Sequence, residues 1–218
     1  MQSELKYLHP FETKIVTSDI YAVKDQYVNV FFIKSLDHFI AIDAGVKPSF
    51  VKEGMKLLGI NPDKVTDIFL THTDYDHTGA LSLFPNANVY ISTQEEQMIN
   101  GKKSRKFIIK NHINCNYIKI DDNQTVSVDN IRIKDILNPG HTPGSMSYII
   151  NDTVLFTGDA LGLHNSKVTE FSRFFNMDSP LALESIKKLL KLNGIKHLYT
   201  AHDGSSDNFE EASAGFRN

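Results

Sequence analysis

Four apolar runs in this sequence each end in His or Asp close to a glycine, and this recurrence restricts the possible fold more than any other feature. The first run, 67–70, leads into THTDYDHTG at 71–79, which holds two His and two Asp within six residues. The other three lead into PGHTPG at 139–144, TGDA at 157–160 and AHDG at 201–204. One such segment is typical of an ordinary polar loop, but glycine also lets backbones approach closely. Together the four segments predict one shared metal site at the ends of β-strands.

The spacing within THTDYDHTG indicates how one loop can supply several ligands. His72, Asp74 and Asp76 are each two residues apart, and in an extended backbone residues i and i+2 face the same way. We therefore expect these three side chains to converge and His77 to face elsewhere, an arrangement that can serve two neighbouring ions. Imidazole suits transition metals such as zinc, iron or copper, and carboxylates add hard oxygen ligands.

Hydrophobic periodicity and turn residues predict an α/β chain. The predicted strands are 15–23, 28–33, 38–42, 65–70, 88–92, 117–120, 125–128, 131–137, 147–150, 153–157 and 197–200. The predicted helices are 50–58 with Gly59 as its C-cap, 81–84, a helix to about residue 100 opened by a Thr93–Glu96 capping box, 181–192 and 209–216;. The basic stretch 101–114 receives no secondary-structure assignment, and its residues 102–110 could flank the cleft or form a solvated helix face. This order indicates a single layered α/β domain over 1–218, a pseudo-duplicated sandwich with helices outside.

Composition excludes several classes of protein. The 218 residues suffice for one well-packed domain, and a formal net charge of -3 with only short basic clusters argues against a nucleic-acid partner;. A single cysteine, Cys115, rules out an intramolecular disulfide;. There is no apolar run of about 18 residues and no N-terminal apolar core of the signal-peptide type. We therefore expect a cytoplasmic protein with no membrane partner, and the oligomeric state stays open.

The ordered set of candidate ligands resembles the metallo-β-lactamase superfamily of metallohydrolases. The residues that carry the resemblance are Asp43 after the third strand, THTDYDH at 71–77, His141 within GHTPGS at 140–145, Asp159 and His202. The resemblance spans nearly the whole chain, from about residue 15 to residue 203. It implies an αββα sandwich of two packed sheets flanked by helices, with the active site at one edge.

The resemblance also implies how the ligands divide between two metal ions. One ion would take His72, Asp74 and His141, and the other would take Asp76, His77 and His202. Asp159 would bridge both ions, and Asp43 would orient a ligand from behind. Two cations a few ångströms apart lower the pKa of a shared water from ~15.7 towards about 7. That water could attack a small ester, thioester, lactone or phosphodiester, with Asp76 accepting a proton or orienting the nucleophile.

Asp74 departs from the family pattern, because most hydrolases of the superfamily have His at this position. A harder, anionic ligand favours iron or manganese over zinc, although carboxylates are also ordinary zinc ligands. The flavodiiron proteins of the superfamily have a related HxExDH pattern, which leaves a non-haem di-iron redox protein as an alternative. Such an oxygen or nitric oxide reductase would need a separate electron donor, since this sequence holds no flavodoxin domain. A degraded site that binds one ion is a further alternative.

The segment 161–178 is long for a connection between a strand and a helix, which predicts a binding loop or lid. It offers aromatic residues for an apolar pocket or for core packing, cations for an anionic substrate group, and a proton donor for a leaving group. These candidates are Phe171, Phe174, Phe175, Arg173, Lys167 and His164. The predicted catalytic residues are Asp76 and His164, and the predicted substrate is a small molecule. The predicted cofactors are two divalent ions, zinc or iron, with manganese as a third choice.

Overall fold

Two β-sheets packed face to face form the core of the computed structural model, which describes residues 8–105 and 111–217. Seven strands form the first sheet in chain order: β1 (Lys14–Ile15), β2 (Ile20–Asp25), β3 (Val28–Ser35), β4 (His38–Ile42), β5 (Val65–Phe69), β6 (Asn88–Ser92) and β7 (Ile118–Ile120). Strands β1 to β4 pair antiparallel, whereas β4 to β7 pair parallel. The carboxyl ends of β4, β5 and β6 therefore lie at one edge of this sheet, the usual place for a site in a parallel sheet.

The second sheet has six strands: β8 (Thr125–Val128), β9 (Ile131–Leu137), β10 (Met146–Ile150), β11 (Val154–Phe156), β14 (His197–Tyr199) and β15 (Ser205–Ser206). Their order is β15-β14-β11-β10-β9-β8, and only β11 and β14 pair parallel. Strands β12 (Gly162–His164) and β13 (Lys167–Thr169) form a separate hairpin. The segment 161–178 therefore contains regular structure in addition to loop.

Helices cover the outer faces of both sheets. They are α1 (Pro48–Leu57), α2 (Tyr75–Thr78), α3 (Glu96–Ile99), α4 (Ser179–Leu189) and α5 (Phe209–Arg217), with 3-10 turns at Pro62–Lys64 and Leu81–Leu83. Helix α1 buries Val51 and Met55 against the first sheet, while α4 and α5 bury Ile186 and Phe209 against the second. The αββα sandwich implied by the family resemblance is confirmed.

The middle of strand β3, residues 30–33, shows why the central strands carry continuous apolar runs. Successive side chains of a strand point to opposite faces, and Phe31 contacts the other sheet while Phe32 packs in the cluster that holds α1. The ring centroid of Phe31 lies 5.1 Å from that of Phe156 across the interface. Because both faces of such a strand are buried, its sequence reads as a continuous apolar run.

The hairpin and the long helix predicted in the second half are confirmed. Three residues join β10 to β11, and the first two, Asn151 and Asp152, have positive φ, 46° and 61°, so that Thr153 N can donate to Ile150 O at 3.2 Å;. The helix predicted over 181–192 is α4, which begins at Ser179. It begins earlier than predicted because the Asp178 carboxylate caps it, accepting a hydrogen bond from Leu181 N at 3.0 Å;.

The prediction of a Thr93–Glu96 capping box is wrong. Helix α3 begins at Glu96 and has no side-chain cap. The Thr93 hydroxyl donates to Ile120 O at 3.4 Å, and Thr93 N donates to the same oxygen at 2.9 Å. Thr93 therefore continues the pairing of β6 with β7 and does not cap the helix.

Residues 106–110 of the basic stretch 101–114 lie outside the described residues. In the two described ranges, no helix combines the length and the apolarity needed to cross a bilayer.

Asp135 is a buried carboxyl group at the contact between the sheets. It lies in β9 opposite Tyr148 of β10, whose ring belongs to the cluster between the sheets. Both of its carboxyl oxygens are buried, and neither has a hydrogen-bond partner among the described residues. Burial raises the pKa of Asp135 to about 7, because the charged form loses its hydration;. The fold therefore favours the neutral acid.

We predict that Asp135 makes the fold less stable as the pH rises from about 4 to about 7. Its pKa in the folded chain, about 7, lies above its ordinary value of 3.8. Protonation therefore stabilises the fold at low pH, and this contribution is lost as the pH passes through the folded-state pKa. Asp135→Asn removes this titration. Urea unfolding should show that the free energy of unfolding of the variant, relative to that of the wild type, rises by on the order of 2 to 4 kcal/mol between about pH 4 and about pH 7. A relative free energy of unfolding that does not vary with pH would contradict the prediction.

Candidate metal centre

The loop after β5 carries four candidate ligands in two backbone conformations. Asp74 is extended, with φ -65° and ψ 153°, whereas residues 75–78 form the single turn of α2. The alternation expected of a strand therefore stops after Asp74. The prediction that Asp76 converges with His72 and Asp74 is wrong, because the helical turn places Asp76 with His77 instead.

His72, Asp74 and His141 form what we call the first group. Asp74 Oδ2 lies 3.4 Å from His72 Nε2 and 3.3 Å from His141 Nε2. His141 enters from the turn between β9 and β10, so the group joins the edges of both sheets. Both imidazoles are buried, and the Asp74 side chain is 15% exposed.

Asp76, His77 and His202 form the second group. Asp76 Oδ2 lies 3.8 Å from His77 Nε2 and 3.6 Å from His202 Nε2. His202 follows β14, so this group also takes ligands from both sheets.

Asp159, which follows β11, lies between the two groups. Its Oδ2 is 3.4 Å from His141 Nε2 and 4.0 Å from His72 Nε2. Its Oδ1 is 3.4 Å from His77 Nε2 and 3.2 Å from His202 Nε2. One carboxylate thus turns one oxygen to each group, which is the geometry of a bridging ligand.

The spacing and the bonding state of these atoms fit metal ions. A tetrahedral zinc ion with ligand distances of about 2.0 to 2.2 Å holds its ligand atoms about 3.3 to 3.6 Å apart, close to most of the separations above. His72 Nε2, His77 Nε2 and Asp159 Oδ1 are buried and have no hydrogen-bond partner among the described residues. Such atoms are costly in a fold, and ions bound in the two groups would satisfy all three.

The electrostatics of the cluster favour positive charge. Burial opposes protonation of His77, but the carboxylates of Asp43, Asp159 and Asp76 raise the pKa of His77 well above its ordinary value. Burial likewise opposes protonation of His202, yet Asp159 raises the pKa of His202 to about 9. Against the effect of burial, the surrounding His residues hold the pKa of Asp159 well below its usual range. Ionised carboxylates at this depth need cations beside them.

The Nδ1 atom of each His has a partner behind the cluster, which directs Nε2 into the cluster. The partners are Thr71 Oγ1 for His72 (3.0 Å), Asp43 Oδ2 for His77 (2.8 Å), Asn176 Oδ1 for His141 (3.3 Å) and Tyr27 O for His202 (2.7 Å). Because a backbone carbonyl only accepts, His202 Nδ1 carries a proton and Nε2 of the neutral ring keeps its lone pair. The contact of Asp43 with His77 agrees with the orienting role predicted for Asp43.

Glu95 supports the candidate site and was not predicted from the sequence. Its Oε1 accepts hydrogen bonds from Thr73 N at 2.8 Å and Thr73 Oγ1 at 2.7 Å. Its Oε2 accepts from Thr142 Oγ1 at 2.6 Å and Gly144 N at 3.1 Å. Burial raises the pKa of Glu95, and these donors oppose the rise. This buried side chain fastens the loop that carries His72 and Asp74 to the loop that carries His141.

Gly144 is the one sequence feature that indicated this close contact between Glu95 and the loop that carries His141. A Cβ atom at Gly144 would lie 2.1 Å from Glu95 N and 2.4 Å from Glu95 Cα. Only glycine allows the two loops to approach so closely, which explains the last glycine of the PGHTPG segment.

Arg105 and Asn111 were also missed, and both bind Asp74. Arg105 Nε donates to Asp74 Oδ1 at 2.9 Å, and Asn111 Nδ2 donates to the same oxygen at 3.0 Å. Both residues come from the basic stretch that received no assignment. Against the opposing effect of burial, His72, His141 and Arg105 hold the pKa of Asp74 well below its usual range.

A cavity of about 180 Å³ opens onto the cluster. Beside the ligands, its lining contains Leu8, Tyr27, Phe171 and Phe175. The Phe171 ring stacks on His202 at a centroid distance of 5.7 Å and meets His141 edge-on at 5.4 Å. Phe171 and Phe175 thus line the cavity, as in the apolar-pocket alternative given for this segment, whereas Phe174 is exposed.

The structure does not bring the other candidates of 161–178 to the cluster. His164 is exposed at the end of β12, opposite Lys167, whose ammonium group lies 2.8 Å from Glu211 of α5. Arg173 is exposed and pairs with Glu170. We therefore do not retain the proton-donor role predicted for His164, because the hairpin turns its tip toward α5 and not toward the cavity.

The fold and the cluster together define an αββα sandwich with a buried group of His and Asp suited to metal ions. The model of the metallo-beta-lactamase superfamily matches residues 23–202. The chain belongs to this superfamily, and it is one of its metallo-hydrolases.

Three relatives show how far the similarity extends. A probable metallo-hydrolase of Methanocaldococcus jannaschii is 31% identical over 167 residues, which are 76% of this chain and 71% of that protein. A probable polyketide biosynthesis zinc-dependent hydrolase of Bacillus subtilis is 37% identical over 98 residues, 43% of this chain and 38% of that protein. An N-acyl homoserine lactonase of Bacillus thuringiensis is 30% identical over 140 residues, 62% of this chain and 54% of that protein. The chain therefore matches about half of the lactonase and less than half of the polyketide hydrolase.

Solved structures share the fold at low sequence identity. A B3 metallo-beta-lactamase with an active-site glutamic acid has a TM-score of 0.74 and 17% identity, covering 98% of this chain and 89% of that chain. A metallo-beta-lactamase family protein of Thermus thermophilus has a TM-score of 0.71 and 19% identity, covering 93% of this chain and 79% of that chain.

We predict that Asp159→Ala loses at least one metal ion. Both groups depend on the oxygens of Asp159, so its removal leaves each group short of a ligand. The measurement is metal content by mass spectrometry after zinc loading and gel filtration, with the exposed Asp207→Ala as the matched control. Retention of the full wild-type metal content by Asp159→Ala would show that Asp159 does not bridge.

Proposed function

We propose that this chain hydrolyses a small ester-like molecule with a water activated by two divalent ions, with zinc as the first choice. The observation that supports the proposal most directly is the division of the Asp159 carboxylate, with one oxygen toward each group. A carboxylate shared in this way keeps two ions a few ångströms apart, as dinuclear hydrolytic sites require. The first group would hold one ion and the second group the other.

Bound cations would supply the acidity of the water and the polarisation of the substrate bond. The side chains of the protein accept the proton and orient the substrate. Asp76 lines the cavity, and its side chain is 21% exposed, so it can accept a proton from the attacking water. Burial and the nearby Asp76 raise the pKa of Tyr27 to about 12. The phenol of Tyr27 therefore stays protonated at neutral pH and can donate a hydrogen bond to a substrate.

The cavity walls favour a small, neutral acyl substrate. The volume of about 180 Å³ is below the range of roughly 300 to 1,000 Å³ that is common for drug-sized ligands. The described lining has aromatic walls and contains no Lys or Arg, so an anionic substrate gains no side-chain cation there. The Bacillus thuringiensis relative is named as a lactonase. We therefore rank lactones and thioesters above other esters and phosphodiesters.

Zinc is preferred over iron because one relative is named as a zinc-dependent hydrolase. The di-iron redox alternative rests on Asp74 alone, and we do not propose it. A cytoplasmic location and a small-molecule partner stay predictions from the sequence.

We predict that zinc-loaded protein hydrolyses an acyl homoserine lactone or an acyl thioester. The kcat/KM should exceed that for bis-nitrophenyl phosphate, a phosphodiester, and for a chromogenic β-lactam, and a chelator should abolish it. Asp76→Asn should lower kcat by about 100-fold or more through loss of the proton acceptor, with Asp207→Asn as the control. No turnover of any of the four substrates by protein that carries two ions would defeat the proposal.

Asp74→His tests how Asp74 influences the choice of metal. Replacing a carboxylate by an imidazole softens the first group and should shift retention towards zinc. Anaerobic dialysis of both proteins against equal concentrations of zinc, iron(II) and manganese(II), followed by metal analysis, gives the ratio directly. An identical ratio in the two proteins would rule out a tuning role for Asp74.

A further inference from the structure

The guanidinium group of Arg105 lies on the ligand atoms of the first group. Arg105 Nη2 is 2.5 Å from Asp74 Oδ2 and 2.7 Å from His141 Nε2. These two atoms are the ones that Asp74 and His141 turn toward each other and toward His72. Arg105 Nη1 also donates to the backbone oxygen of Phe175, which lines the cavity. With the Nε contact to Asp74 Oδ1 and a 3.3 Å hydrogen bond from Nη2 to His141 O, the guanidinium group makes five polar contacts.

The contact with His141 excludes metal binding by the same atom. Because a guanidinium only donates, the 2.7 Å contact makes His141 Nε2 the acceptor and leaves the ring proton on Nδ1, which faces Asn176 Oδ1 at 3.3 Å;. His141 Nε2 then has one lone pair, and that lone pair accepts the hydrogen bond from Arg105;. A ring nitrogen cannot donate the same lone pair to an ion, so coordination requires Arg105 Nη2 to leave.

Asp74, unlike His141 Nε2, can contact Arg105 and a metal ion at the same time. Its Oδ1 receives Arg105 Nε and Asn111 Nδ2, which leaves Oδ2 available to an ion once Nη2 has moved. Arg105 can therefore stay attached to Asp74 through Nε while it releases His141.

The second group has no comparable cation. Within the described ranges, the ion pairs of Asp76 and Asp159 are all with His. A metal ion entering the second group displaces no guanidinium, whereas one entering the first group must break charge-assisted hydrogen bonds, which are the stronger class.

We propose that Arg105 is a built-in competitor for the metal ion of the first group, so that the two ions bind with unequal affinity. The second group fills first and tightly; the first group fills only as Arg105 Nη2 leaves His141. This inference rests on the metal site of the proposed function but concerns affinity and not turnover. It assigns Arg105 the role of setting how many ions the protein carries at a given free zinc concentration.

The test is stepwise zinc binding to chelator-stripped protein, followed by competition with a chromogenic chelator. We expect two steps in the wild type, and His141→Ala should abolish only the weaker one. Arg105→Met should tighten that weaker step by about 10-fold or more, on the scale of changes beside metal ligands, and leave the tighter step unchanged. Arg173→Met, at an exposed Arg that pairs with Glu170, is the matched control and should change neither step.

A weaker step that is unchanged or further weakened in folded Arg105→Met would overturn the proposal, because Arg105 would then support Asp74 and not compete for its partners. Folding is checked by circular dichroism and thermal melting. If Arg105→Met does not fold, Arg105→Gln, which can still donate to Asp74, carries the same expectation. Failure to bind zinc at all would defeat the proposed function, whereas two ions bound without regard to Arg105 would defeat only the competition.

Discussion

A carboxylate buried among four imidazoles is the interaction on which the rest of this structure depends. Asp159 is 5% exposed, and its two oxygens face His72 and His141 on one side and His77 and His202 on the other. A buried anion is tolerated only with positive charge or hydrogen bonds beside it. The loops that bring the four rings to Asp159 therefore share one electrostatic requirement, although they come from distant parts of the chain.

The two sheets satisfy this requirement by meeting at one edge. The first sheet supplies the His72–His77 loop after β5, and the second supplies His141, Asp159 and His202 from three connections. Glu95 then fixes the spacing, because its two oxygens each bind one of the facing loops. A further carboxylate, Asp43, holds Thr71 N at 2.7 Å and His77 from behind. Rigid support of this kind determines where a ligand atom points.

The types and order of the ligands could be predicted from the sequence, because each ligand ends an apolar run that is visible as a strand. Their pairing follows the family resemblance but could not be read from residue spacing. Asp76 joins His77 because residues 75–78 form one helical turn, and nothing in the spacing separates that turn from extended chain. Three further residues were not predicted, for another reason: Glu95, Arg105 and Asn111. Their partners are distant in the sequence, and an isolated Glu, Arg or Asn gives no local pattern. The proton-donor role predicted for His164 failed because the turn at 165–166, with φ of 50° and 58°, directs its hairpin away from the cavity.

The split of ligands between the two sheets also makes the complete centre dependent on long-range closure of the chain. The His72–His77 loop is local, but its partners lie at positions 141, 159 and 202, so each group requires long-range closure of the chain;. Each closure costs chain entropy before its contacts are made. Until the two sheets dock, an ion can meet only the ligands of one loop. The complete centre therefore exists only in the docked sandwich, so the number of ions the protein retains also reports whether its two sheets have come together.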